Sequence, residues 1–174
     1  MNDPIFEKDG VKIFIDPEPI NPRTEWDNLA KMVCFHKRYT LGDRHDYRVS
    51  DYNSWDELRE AIVQKEDPVA IFELYMYDHS GLTVSMGPFD CPWDSGQIGF
   101  VLITMDTAKK ELGAKRRCKS LFRKCREIIE GEVKTYDQYL RGEVYGYGHG
   151  EDSCWGFYGY EPEELAEMVL KGEA

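Results

Sequence analysis

The chain has 174 residues, of which 41% are hydrophobic, 13% aromatic and 32% charged, with a net charge of −11. That length suits one domain with a real core, and the apolar content excludes a disordered chain. The acidic balance disfavours a general nucleic-acid binder, and no apolar run approaches the roughly 18–20 residues of a membrane span. The polar, acidic start MNDPIFEKDG is not a secretory signal, and five cysteines without a CxxC pair read as reduced thiols, which together predict a cytoplasmic protein.

In chain order, the first ten residues read as loosely held. Val11–Ile15 is a β-prone run cut off by Asp16-Pro17-Glu18-Pro19, so it should lie at a sheet edge or end at those prolines. Residues 22–27 read as a loop. Leu29–Tyr39 fits neither period cleanly, and the succession of Val, Cys and Phe favours a strand over Met32–His36. A charged loop follows to Asn53. Ser54 with Glu57 forms a capping-box pattern for a helix carrying Trp55, Leu58, Ala61 and Ile62 on one face and stopping before Asp67-Pro68.

Val69–Tyr77 is a nearly continuous apolar run and should be a central strand. After the turn Asp78-His79-Ser80-Gly81, Leu82–Met86 runs back antiparallel, and Ile98–Thr104 is a third strand, together a meander. Thr104 or Asp106 caps a short helix that Gly113 ends. From Lys115 to about Arg141 the 3.6-residue spacing of Cys118, Leu121, Phe122, Cys125, Ile129, Val133 and Tyr136 predicts one long helix packed on the sheet, weakest at Gly131. Val144–Tyr147 and Cys154–Tyr158 read as a last hairpin, and Pro162 opens a final helix. The expected fold is α+β: a single domain over 1–174, an antiparallel meander sheet packed by one long helix and shorter ones.

Charge is distributed unevenly. Residues 109–126 carry nine Lys/Arg and one Glu, a local net of +8 that leaves −19 on the remainder. A basic stripe on an acidic body predicts a directional partner surface, with Lys115, Arg116, Arg117, Lys119, Arg123 and Lys124 as binding residues for RNA, nucleotide phosphates or an acidic protein face. The plain alternative is a helix face balanced by Glu127, Glu130 and Glu132.

Two turns hold the candidate chemistry. His79, beside Asp78 at a strand end, is the best general-base candidate, because imidazole titrates near neutrality and a carboxylate can orient it. Asp94 and Ser95 would add an acid and a hydroxyl, and Gln97 a binding amide. The same residue types also serve turns for backbone reasons alone. Cys34-x-His36 is the one close Cys/His pair and too small a set for a metal site, so no metal or cofactor is expected. Cys118 and Cys125 read as core packing. Trp155 and Tyr158, in an aromatic–glycine segment, could stack a base or pack a twisted hairpin.

The segments Trp26–Leu29, Met32–His36, YDHSG at 77–81, PWDSGQ at 92–97, Gly131–Val133 and DSCWGFYG at 152–159 together resemble uncharacterised acidic proteins encoded by bacteriophages and mobile elements. The resemblance implies a phage setting in a bacterial cytoplasm and supplies no catalytic assignment. Together with the charge pattern it favours an accessory protein that binds and inhibits a host nucleic-acid-directed defence complex of the CRISPR or restriction kind, a binding protein rather than an enzyme. The alternatives are a small-molecule or nucleotide-binding protein or hydrolase with its site at the two turns, and a structural or regulatory protein without a site.

Overall fold

The computed structural model describes residues 3–91 and 93–174; Met1, Asn2 and the loop residue Pro92 lie outside the described residues. In chain order the elements are β1 (Phe6–Lys8), β2 (Val11–Ile15), α1 (Pro22–Glu25), β3 (Lys31–Cys34), a 3-10 turn (Val49–Asp51), α2 (Trp55–Glu66), β4 (Pro68–Asp78), β5 (Leu82–Ser85), β6 (Ser95–Thr104), α3 (Met105–Leu112), α4 (Lys119–Arg141), β7 (Tyr145–His149), β8 (Asp152–Phe157) and α5 (Pro162–Lys171). The fold is α+β with antiparallel sheets and one long helix. Two compact units divide the chain: Trp26–Lys134, and Met1–Glu25 with Thr135–Ala174.

The unit Trp26–Lys134 is built on a sheet of order β3-β6-β4-β5, antiparallel throughout. Successive residues of a strand face opposite sides, and the packing follows that rule. Val33, Phe100 and Leu102 join Leu58 and Ile62 of α2 in one cluster, with Ile71 of β4 against it. Phe72, the next residue, points the other way and meets Phe122 of α4 at 5.9 Å between ring centroids. Both faces of the sheet are therefore covered, which is why residues 98–103 of β6 are all buried. Burying Leu58 and Ile62 contributes about 1.5–3 kcal/mol each.

Local signals set the helix ends. Ser54 caps α2 by accepting from the Glu57 amide, Thr104 caps α3 by accepting from the Thr107 amide, and Gly113 closes α3 in a left-handed conformation at φ 65°. The long helix starts at Lys119 instead of Lys115. Arg117 explains the difference: it donates to the Pro68 carbonyl at 2.6 Å and the Asp67 carbonyl at 3.2 Å, and pairs with the Asp67 carboxylate, drawing residues 114–118 away from helical geometry. Gly131 does not interrupt α4.

The expected meander is corrected. β6 pairs with the far edge of β4 and not with β5. The chain after β5 must therefore cross back to the opposite edge of β4, which brings the start of β6 beside the end of β4, with Tyr77 opposite Ser95. β3 in turn lies tightly on β6, since a Cβ on Gly99 would fall 1.9 Å from the Val33 carbonyl oxygen.

The unit formed by residues 3–25 and 135–174 holds a second sheet, β1-β2-β7-β8, with α5 packed on Val11, Ile13 and Tyr145 through Leu165 and Ala166. β2 is interior and ends just before the prolines, as one of its two expected readings has it. Residues 22–25 form a short helix where a loop is expected; the Asn21 side chain accepts from the Arg23 amide at 2.9 Å, and Pro22 stands at its first position.

Candidate functional site

The strand order makes the site. Because β6 begins beside the end of β4, the two polar turns meet: the Asp78 amide donates to the Asp94 carbonyl at 2.9 Å, and His79 Nδ1 lies 3.3 Å from Asp94 Oδ2. A carboxylate only accepts, so Nδ1 carries the hydrogen of that bond, and Nε2 is the ring atom left for other work. The His79 ring stacks on Tyr77 at 5.8 Å, and Tyr77 stacks on Phe89 at 5.6 Å. The imidazole stands at the surface, 64% exposed.

A third segment closes on the turns, and sequence reasoning did not single it out. His36 Nδ1 accepts from the amides of Arg38 and Tyr39, both at 3.3 Å, which bends the chain directly after β3. Arg38 Nη2 then donates to Asp78 Oδ2 at 2.5 Å, and the Tyr39 hydroxyl donates to the same oxygen at 3.2 Å. The loop returns through Gly42 and Asp43. The Asp43 amide donates to the Met32 carbonyl at 2.9 Å, and the Asp43 carboxylate accepts from the Met32 amide at 2.8 Å, so one side chain stands in for a strand partner. Gly42 is required there: its φ is 66°, and a Cβ would fall 2.7 Å from the Met32 carbonyl oxygen. The available signal was a run of basic and aromatic residues, Phe35 to Tyr39, directly after a strand.

Two cavities share this ground. One of about 330 Å3 is bordered by Asp78, Asp94, Ser95, Gln97 and Arg38. A second of about 910 Å3 lies under residues 34–45 and against Trp55 of α2, and both are bordered by Phe35, His36 and Arg38. Lys37 and Arg44 are exposed beside the larger one and have no carboxylate partner among the described residues.

Several polar side chains of the turns are bonded to the backbone. Ser95 is committed to the turn, its hydroxyl donating to the Cys91 carbonyl at 2.5 Å. Gln97 donates to the Gly99 carbonyl at 3.3 Å. His79 is oriented by Asp94, and Cys91 Sγ lies 4.0 Å from the same carboxylate. Among the described residues, no three His, Cys, Asp or Glu side chains gather as a metal site would need. Likewise, no helix of the described residues is long and apolar enough to cross a membrane.

The basic stripe spans the end of α3, the linking segment 113–118 and the first two turns of α4. Four of its cations have carboxylate partners: Lys109 with Asp106, Lys110 with Glu111, Arg117 with Asp67, and Arg126 with Glu130. Lys115, Arg116, Lys119, Arg123 and Lys124 are exposed with none among the described residues. Of the three acids expected to balance the stripe, Glu130 pairs with Arg126, while Glu132 accepts from the Leu29 amide at 2.8 Å. Arg117, Lys119, Arg123 and Arg126 line a groove of about 590 Å3 with Phe122.

Cys118 is exposed and off the helical face, which corrects its expected place in the core; a hydrogen bond from Ser120 and backbone amides at the start of α4 hold its thiol below the ordinary value. Cys125 is buried as expected, and burial raises its thiol. Trp155 and Tyr158 belong to the other unit. There Trp155 packs on Phe14 at 6.0 Å, and the Tyr158 hydroxyl donates to the Ile20 carbonyl, with burial pushing that phenol up to about 12. Comparison with protein-family models, curated proteins and solved structures finds no match.

Proposed function

We propose that the protein binds a small anionic molecule at the junction of the Asp78–Gly81 and Asp94–Gln97 turns with the loop 35–45. The observation that carries this reading is the cavity of about 910 Å3, walled by aromatic rings and rimmed by Lys37 and Arg44, which shares Phe35, His36 and Arg38 with the smaller cavity at Asp78 and Asp94. Concave sites of that size with a few convergent polar groups are where small ligands bind. The Arg38 and Tyr39 bonds to Asp78 hold the loop in place before a ligand arrives, which lowers the ordering cost of binding. Thermal denaturation against a panel of nucleotides, sugar phosphates and carboxylic acids tests it. A ligand at 100 times its Kd adds about 2.7 kcal/mol, so a hit raises the midpoint by several degrees. A flat panel contradicts the reading.

A second reading is favoured by the five cations of the stripe that have no carboxylate partner among the described residues. They suit a polyanionic partner, and with the phage resemblance they support an inhibitor of a host nucleic-acid-directed defence complex. Charge reversal at Lys115, Arg116 and Arg123 should then abolish both co-purification of a defence component and any gain in phage plating. Wild-type protein that gives neither contradicts this reading.

A further inference from the structure

We infer that the ligand of the loop 35–45 site is a nucleotide, with its base in the aromatic cavity and its phosphate at the basic rim, an assignment that rests on the small-ligand reading above. Three features converge on that class. The first is the wall: Phe35, Tyr39 and Trp55 border a cavity of about 910 Å3, and aromatic rings lining a cavity favour a stacked aromatic ligand. The His36 and Tyr39 rings already stand stacked, 4.9 Å apart and 11° from parallel, so a flat face is set before binding.

The second is an orphaned acceptor. His45 borders the same cavity, and its Nε2 donates to the Cys34 carbonyl at 2.9 Å. In the tautomer that this bond requires, Nδ1 carries a lone pair, and it is shut away from solvent without a hydrogen-bond partner among the described residues. A buried acceptor without a donor is unfavourable, and the exocyclic amine or ring N–H of a base is a donor that a small rotation of the imidazole would let it meet. The ring lies edge-on to Phe35 at 4.7 Å and tilted against Tyr47 at 6.0 Å.

The third is charge. Lys37 and Arg44 rim the cavity and are exposed without carboxylate partners among the described residues, whereas Arg38 is held by Asp78. Two uncommitted cations suit the dianion of a terminal phosphate. Across the shared border at Phe35 and His36, Asp94 offers carboxylate oxygens of the kind that accept from ribose hydroxyls.

Isothermal titration with AMP, GMP, CMP and UMP, alongside the matching nucleosides, ribose 5-phosphate and inorganic phosphate, tests the assignment. The expected result is one or more monophosphates binding at least tenfold tighter than both the matching nucleoside and ribose 5-phosphate. In K37A/R44A, whose side chains are exposed, that tenfold advantage over the nucleoside is lost while nucleoside binding is retained. In His45→Phe, which keeps the edge-on ring and removes the nitrogens, monophosphate affinity falls at least fivefold, with circular dichroism verifying the fold of each variant. Ribose 5-phosphate binding as tightly as the monophosphates overturns the nucleotide assignment and leaves the small-ligand reading standing. Wild-type affinities in both variants overturn it too. Absence of binding by every compound here and in the wider panel overturns both.

Discussion

Gly99→Ala tests how the sheet positions the site. Gly99 sits opposite Cys34 where β3 pairs with β6, and an added Cβ would lie 1.9 Å from the Val33 carbonyl oxygen and 2.9 Å from its carbon. Ordinary contact begins at 3.4 Å, so β3 must retreat by roughly 1.5 Å. The obstacle is backbone and cannot swing aside as a side chain would. Overpacking of this kind costs about 1–3 kcal/mol. Separation of the strands also weakens the nearest ladder bonds, including the Phe35 amide to the Ile98 carbonyl at 2.7 Å, at about 1 kcal/mol each. With two such bonds weakened, the sum is about 3–5 kcal/mol. With a urea slope of about 2 kcal/mol/M, the midpoint followed by far-ultraviolet circular dichroism should fall by roughly 2 M. The same retreat displaces Phe35 and the loop it begins, so ligand affinity should fall with stability. A midpoint within about 0.3 M of wild type would refute the tight β3–β6 contact.

Other expectations follow from the same geometry. Gly146→Ala also meets a close neighbour, but that neighbour is the Trp155 ring at 2.1 Å, and Trp155 is 43% exposed; the ring should swing outward, so its fluorescence shifts to the red at a stability cost of about 1 kcal/mol, well below that of Gly99→Ala. Burial alone would raise the Glu66 carboxyl, but hydrogen bonds from Lys31 and Tyr47 outweigh it and hold the group below its ordinary 4.5. A carboxyl depressed by folding contributes stability above that unfolded value and loses it as pH falls through the folded one. Denaturation at pH 3–6 should therefore show an acid limb below about 4.5 that Glu66→Gln flattens, and an unchanged limb in that variant would refute the role. Timed alkylation with mass spectrometry at neutral pH should modify Cys118 well before Cys125, because one thiol is exposed and lowered while the other is buried and raised; equal rates would contradict the placement of α4.

The sequence made the local punctuation readable and left the long-range closure hidden, for a physical reason. Ser54, Thr104, Gly113 and Pro162 act on backbone groups within four residues, so each announces its helix end. Strand order has no such local mark: whether β6 pairs with β5 or passes it to reach β4 depends on which faces must be buried, and both choices satisfy the same apolar pattern. The convergence of His79 and Asp94 is a consequence of that order. The start of α4 was misplaced because Arg117 is held some fifty residues upstream in the chain, at Asp67 and Pro68. The loop after β3 was invisible as a site because Asp43, in a charged stretch, pairs with Met32 eleven residues earlier.

The most direct measurement is a titration of uniformly 15N-labelled protein with nucleoside monophosphates, followed residue by residue in amide spectra. Saturable shifts are expected at Phe35–His45 and at Asp94–Gln97, with residues 115–126 unmoved. Shifts confined to residues 115–126, or none at saturating ligand, would contradict the nucleotide assignment.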